Sequence, residues 1–191
     1  ALQLGCGFPG GADVLFGALQ LGAEDAPDGA TCASDISNGF NEMSRDAIFF
    51  GLRRSPFRDA IPLARSLYGT ATTLILRRTD GALHVDGESV DSSTGVKQGC
   101  TLAAFLFCVG LHYCMIATQA LHPSAVIAGY MDDVHTQNPD PTIAWSALCT
   151  FRCLASHHCR VRSNLSKLAV YSPAADLSFL PRPILSKRFN L

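Results

Sequence analysis

The chain has 191 residues, of which 48% are hydrophobic and 16% charged, with a formal net charge of −1. That length and apolar content fit one folded domain with a sizeable core and exclude a disordered chain. The near-zero charge excludes a global basic field. Cations occur instead as local clusters, Arg53 with Arg54, Arg77 with Arg78, Arg160 with Arg162 and Lys187 with Arg188, which read either as groove-lining or as solvated surface.

In chain order, residues 1–11 read as a glycine-rich loop leading into an apolar-periodic segment over 12–21. A polar loop over 23–29 follows, then a strand ending near Asp35. Asn38-Gly39 turns the chain, and Ser44 is placed to cap a helix running to about Leu52. Ser55-Pro56 opens another helix, ending at Tyr68-Gly69. Residues 72–76 and 82–85, on either side of Asp80-Gly81, predict a hairpin. Thr101 is placed to cap a long apolar helix through Ala120. His112, Tyr113 and Gln119 interrupt that run, so a core helix is expected rather than a membrane span. Tyr130 to Asp133 forms the tip of a second hairpin. Pro141 starts a helix reaching about His157, and residues 168–171 read as a strand. The tail from Pro173, with Pro181 and Pro183, is expected to be loosely ordered. Mixed helices and strands with much antiparallel pairing define an α+β class.

Chemistry concentrates at Tyr130-Met131-Asp132-Asp133. Adjacent carboxylates at a hairpin tip repel each other, and nothing local neutralises them. A divalent cation would, and Mg²⁺ prefers hard oxygen ligands while leaving positions open for phosphate oxygens. The bland reading is a turn with two solvated acids, set against the apolar flanks Ile127-Ala128 and Val134. Asp35, at a strand end, reads either as a third metal carboxylate, with the Ile36 carbonyl facing the same ion, or as a turn aspartate. Gln98-Gly99 reads either as a loop that lets a base or ribose approach the backbone, or as an ordinary turn before a core helix. Cys149, Cys153 and His157 share a helix face, but their spacing fits no zinc pattern, so core thiols are expected. The eight cysteines lie mostly in apolar runs, as suits free thiols in a reducing, intracellular compartment, nuclear or cytoplasmic. There is no Ser-His-Asp signature, Walker loop or dinucleotide fingerprint.

Taken together and in this order, the Asp35-to-Phe40 segment, the Gln98-Gly99 loop and the Tyr130-Met131-Asp132-Asp133 hairpin resemble the palm of a reverse transcriptase. The resemblance is to the RNA-directed DNA polymerase of a retroelement, of the non-LTR, LINE-like type. Gln3-Leu4-Gly5-Cys6-Gly7 resembles the segment leading from fingers to palm. Asn164-Leu165-Ser166-Lys167 resembles the lysine-bearing motif after the catalytic hairpin. The resemblance covers about Gln3 to Pro173. It implies a palm-like antiparallel sheet packed on helices, with residues 1–30 as partial fingers, 31–172 as palm and 173–191 as tail. It implies catalytic roles for Asp35, Asp132 and Asp133. Asp35 and Asp132 would hold two Mg²⁺ ions (or Mn²⁺) with help from Ile36, and Asp133 would support them. Phe40 would gate the sugar, Gln98, Gly99 and Lys167 would contact the nucleotide, and Tyr130 and Met131 would lie near the primer end. The implied partners are an RNA or DNA template with primer, a dNTP and the remainder of a longer polyprotein, with no membrane. Thr101 departs from the family, which commonly shows proline there. The basic fingers strands and the thumb are expected outside these residues, so the chain alone is expected to be weak in processive synthesis. The alternative is a catalytically inactive remnant that at most binds nucleic acid or a protein.

Overall fold

The computed structural model describes residues 2–74, 90–174 and 176–181. Its centre is a five-stranded sheet in the order β1-β6-β7-β2-β9. The strands are β1 (Leu2–Gln3), β2 (Ala30–Ser34), β6 (Val126–Tyr130), β7 (Asp133–Asn138) and β9 (Ala169–Tyr171). The β6, β7, β2 and β9 pairings are antiparallel, while β1 adds an edge parallel to β6. The α+β expectation therefore holds. The segment before Gly5 was expected as loop and instead joins the sheet. Two residues are too few for a period-two pattern to show, so no periodicity could have exposed it.

Alternation along the strands divides the sheet into two faces. Cys32, Ile127 and Val134 point to one face and are buried there. The helices α3 (Arg45–Arg54), α5 (Ala103–Leu121) and α6 (Pro141–Leu154) close that face. Phe107, Leu111, Met115 and Phe151 fill the space between them. The long apolar helix α5 is thus the core helix expected, packed most closely on α3 and α6. The opposite face is covered only in part, by α1 (Gly11–Asp25), through Leu15 and Leu19 against Leu4, Ala128 and Tyr130. A second cluster joins Trp145 and Leu148 of α6 to Cys32, Leu168 and Val170.

Several boundaries differ from expectation for local reasons. Helix α1 runs on to Asp25, through part of the segment expected as loop. Ser44 flanks α3, yet its side chain makes no capping bond. Ser55 Oγ donates to the Leu52 carbonyl and accepts from Phe57 N–H at 3.0 and 3.1 Å, a serine turn that delays the next helix. A single 3₁₀ turn, Arg58–Ala60, then leads into α4 (Ile61–Tyr68). Helix α5 begins at Ala103, two positions beyond Thr101, with Leu102 as its flank. Strand β4 (Thr72–Leu74) pairs with β5 (Val90–Ser92). The expected turn at Asp80-Gly81 and strand at 82–85 lie outside the described residues. The tail expected to be loose is tied down in part: Leu180 is buried, and Leu177 and Phe179 pack beside Leu168 and Trp145.

Helix α6 has the clearest cap. Asp140 accepts from Thr142 N–H at 2.8 Å and from the Thr142 hydroxyl at 2.6 Å. These bonds hold the Asp140 carboxyl below its ordinary value of 3.8. Because the folded value is depressed, the cap's stabilisation is present above the unfolded value and is lost as pH falls through the folded one. Asp140→Ala should therefore lower the melting temperature at neutral pH, with the deficit shrinking in acid. Asp140→Asn, which keeps an acceptor, should melt close to wild type. A deficit that stays constant down to acid pH would contradict the charged cap.

Candidate active site

Strand β2 brings Asp35 to the hairpin. Its register with β7 ends at Ser34 opposite Val134, so a continued register would set Asp35 opposite Asp133. Directly opposed residues on antiparallel strands carry Cβ atoms about 4.5–5.5 Å apart. Both fall on the face of Ala33 and His135, opposite the helix-packed core. At Asp35 the chain leaves the sheet, and β3 (Ile36–Ser37) pairs with β8 (Arg162–Ser163). The crossing is fixed to the hairpin because Ile36 N–H donates to the Asp132 carbonyl at 3.2 Å.

The hairpin turn is two residues long. Tyr130 pairs with Asp133, leaving Met131 and Asp132 at the tip. Met131 sits at φ 54, in the left-handed region that tight hairpins use. Such a conformation is uncommon for a residue with a side chain and clusters at functional sites. Asp132 is half-buried and Asp133 is exposed.

The electrostatics follow from that geometry. Burial raises the Asp132 carboxyl above its ordinary value, and the negative charges of Asp133 and Asp35 raise it further. Burial and then Asp35 do the same to Asp133. Lys167 opposes both shifts. Its Nζ lies 3.2 Å from Asp35 Oδ2, the carboxyl being largely buried and the ammonium largely exposed. The turn carrying Lys167 is built by Asn164, whose Oδ1 accepts from Ser166 N–H and Oγ at 3.1 and 2.6 Å. Asn164 N–H donates to the Asp35 carbonyl at 2.8 Å, which ties this turn to the acid it neutralises.

The remaining expected residues divide into two groups. Phe40 lies in α2 (Gly39–Glu42), directly after β3, and its ring stacks on Phe107 at 4.5 Å between centroids. Val96 N–H donates to the Phe40 carbonyl at 2.6 Å, so the Gln98-Gly99 loop starts against the Phe40 helix. Gln98 is exposed, and Gly99 takes φ 87, which only glycine adopts freely. Tyr130 lies directly opposite Asp133 and packs against the cluster of Leu4, Leu15 and Ala128. Two further residues were not read as part of this region in the sequence. Gln3 hydrogen-bonds the backbone of Met131, and Arg45 anchors the loop before Gln98 through Gly95 and Thr94. A lone glutamine and a lone arginine carry no spacing signal, so only the tertiary structure could reveal them.

Among the described residues, no group of three or more His, Cys, Asp or Glu side chains is already gathered into a metal cage. Cys149 is half-buried beside the second core and Cys153 is exposed, and all eight cysteines are free thiols. Asp35, Asp132 and Asp133, whose charges act on one another's surroundings, carry hard oxygen donors. They would suit Mg²⁺, which takes few carboxylates and completes its shell with phosphate and water oxygens.

The fold, a five-stranded sheet packed on helices, is reverse-transcriptase-like. No protein-family model matches the chain, and no curated protein does. Among solved structures it is similar to telomerase from Candida albicans in complex with a TWJ fragment of telomeric RNA, with a TM-score of 0.60, 12% identity and 86% of this chain covered. Apo telomerase from Candida tropicalis, truncated from its C-terminal domain, gives 0.58, 10% and 84%. Telomerase from Candida tropicalis with a TWJ fragment gives 0.57, 9% and 83%. The chain spans 32%, 34% and 29% of those proteins' lengths, about a third of each. At such identities the likeness establishes the fold.

Proposed function

We propose that this chain is the palm of an RNA-directed DNA polymerase of the retroelement, non-LTR type, and part of a longer polyprotein. What supports the reading is that Asp35 follows the strand paired with the hairpin, that its charge acts on Asp132 and Asp133, and that Lys167 pairs with it. Burial, and then the charge of Asp35, raises the proton affinity of Asp132 and Asp133, and acids in such a field are poised to hold cations. When bound, two Mg²⁺ or Mn²⁺ ions would activate the primer 3′-hydroxyl and stabilise the leaving pyrophosphate. Asp35 and Asp132 supply the carboxylates for that pair, with the Ile36 carbonyl beside them, and Asp133 sets the local field. Lys167 exchanges its partner from Asp35 to the triphosphate of a dNTP. Gln98 and Gly99 border the nucleotide, and Met131 lies at the primer end. The telomerases of like fold are described in complex with RNA, which favours a nucleic-acid partner for this chain.

A second reading, a non-catalytic binding module, is favoured by one observation: Lys167 already occupies Asp35 and no metal cage is preformed among the described residues. Primer extension on an RNA template with Mg²⁺ and Mn²⁺, using this chain and a longer polypeptide containing it, separates the two. Extension that depends on Asp35 supports the polymerase. RNA binding by both polypeptides with extension by neither supports the binding module.

Phe40 gives a finer test. Its ring stacks on Phe107 a few residues beyond Asp35, and the proposal gives it the space beneath a sugar. In the active polypeptide, Phe40→Ala should raise ribonucleotide incorporation relative to dNTP by roughly tenfold or more, the scale of one lost steric exclusion. Unchanged discrimination would remove Phe40 from that role.

A further inference from the structure

We propose that Gln3 is a positioning residue that locks the catalytic turn, an inference that rests on the polymerase reading above. Its amide bonds both backbone groups of one residue: Nε2 donates to the Met131 carbonyl at 3.1 Å, and Oε1 accepts from Met131 N–H at 3.0 Å. The same Oε1 accepts from Gly5 N–H at 3.0 Å, which sets the rotamer of Gln3 from its own strand. Met131 is the left-handed residue of the turn, and Asp132 is the next residue. Bonds to the N–H and the carbonyl of one residue hold the two peptide planes on either side of it, and so restrain both of its backbone dihedrals and where the following carboxylate points.

Three surrounding features give the clamp this task. The turn meets Gly5 so closely that a Cβ there would collide with Met131 N. The edge strand therefore has to approach the turn as bare backbone. Behind Gln3 lies an open, largely apolar cavity of about 500 Å³, bordered by Cys6, Phe105 and Cys108. Side-chain packing from that direction does not support the turn. Finally, Leu4 N–H donates to the Gly129 carbonyl at 2.8 Å, so Gln3 rides on a strand registered to the hairpin.

The test compares Gln3→Met and the milder Gln3→Asn with Gln3→Glu, reading Met131 amide exchange by NMR, Mn²⁺ affinity and melting temperature. Gln3→Met fills a similar volume without the bonds. It should speed Met131 exchange by roughly tenfold or more, the loss expected when a local protecting bond is removed. It should weaken Mn²⁺ binding by about tenfold, with melting shifted by no more than about 3 °C. Gln3→Asn, too short to reach both groups, carries the same expectation. Gln3→Glu keeps the acceptor for Met131 N–H but loses the donor to the Met131 carbonyl, so it should recover part of the amide protection, which a purely space-filling role would not do. Unchanged exchange in Gln3→Met and Gln3→Asn, absent rescue by Gln3→Glu, or faster exchange with unaltered Mn²⁺ affinity would each overturn the proposal. Wild-type protein that binds Mn²⁺ no better than Asp132→Asn would overturn the metal reading itself. That failure is recognisable without any Gln3 variant.

Discussion

Asp132→Asn should make the metal-free protein more stable while abolishing its response to divalent cations. The Asp132 carboxyl is raised above 3.8 first by burial, then by Asp133 and Asp35. A carboxyl whose folded pKa exceeds its unfolded one favours the folded state below the unfolded value, and that advantage is lost as pH rises through the folded value. At neutral pH the ionised group is therefore a liability in the native state, and the neutral amide removes it. In EDTA at pH 7 the variant should melt higher than wild type. Adding Mg²⁺ or Mn²⁺ should raise the wild-type melting temperature, because a ligand that binds only the folded state stabilises it by mass action. The variant should not respond. In the polymerising polypeptide the same change should cost roughly 10³-fold in rate, about 4 kcal/mol of transition-state stabilisation. A variant that melts lower in EDTA, or that still gains from Mg²⁺, would show that Asp132 is a structural turn residue.

The opposed effects on stability and activity explain why the sequence made this site legible. Two adjacent acids between apolar flanks contradict what a solvated turn or a core strand would choose, and local contradictions of that kind mark functional sites. The strand before Asp35, the hairpin and the strand after Lys167 were readable for a related reason. Each is a short apolar run ending in turn chemistry, and β2, β6, β7 and β9 fall where those runs lie. The helices α3, α5 and α6 were readable as elements because each spans several turns with apolar spacing. Their starts were less readable. Ser44 and Thr101 have capping chemistry, but the cap bonds do not form in the structure.

What the sequence withheld is what tertiary contact alone creates. Leu2–Gln3 becomes a strand because β6 presents a free edge, not because two residues prefer it. Leu180 is buried because α6 and β9 leave an apolar gap beside Trp145. The pairing of the strand before Asp35 with β7 depends on a register between segments about a hundred residues apart, which residue spacing could not show. Arg45 belongs to the same class, since its partners lie 23 to 50 residues along the chain.

Arg45 should be the most stability-sensitive charged residue in the described structure. Nε donates to the Gly95 carbonyl at 3.0 Å, and Nη1 to the Tyr68 and Thr70 carbonyls at 3.4 and 3.2 Å. Nη2 donates to Ser92 Oγ and the Thr94 carbonyl at 3.0 and 3.2 Å, and the guanidinium lies 5.3 Å from the Tyr68 ring centre. No carboxylate is among these partners, so its charge is held by carbonyl dipoles, and burial lowers its pKa. The planar fork alone satisfies this arrangement. One side chain thus joins α3 to the end of α4, to β5 and to the loop that continues into Gln98-Gly99. Arg45→Met would leave those acceptors without donors in a confined space and cost about 3 kcal/mol, near 10 °C of melting temperature. Arg45→Lys keeps the charge but reaches fewer acceptors, and should recover less than half of the loss. In the polymerising polypeptide, a loosened Gln98-Gly99 loop should raise KM for dNTP more than it lowers kcat, since the proposed function gives that loop contact with the nucleotide rather than with the reacting oxygens. Arg45→Met melting within about 2 °C of wild type would show that the carbonyls find other partners. A fall in kcat with KM unchanged would separate Arg45 from the nucleotide side of the site.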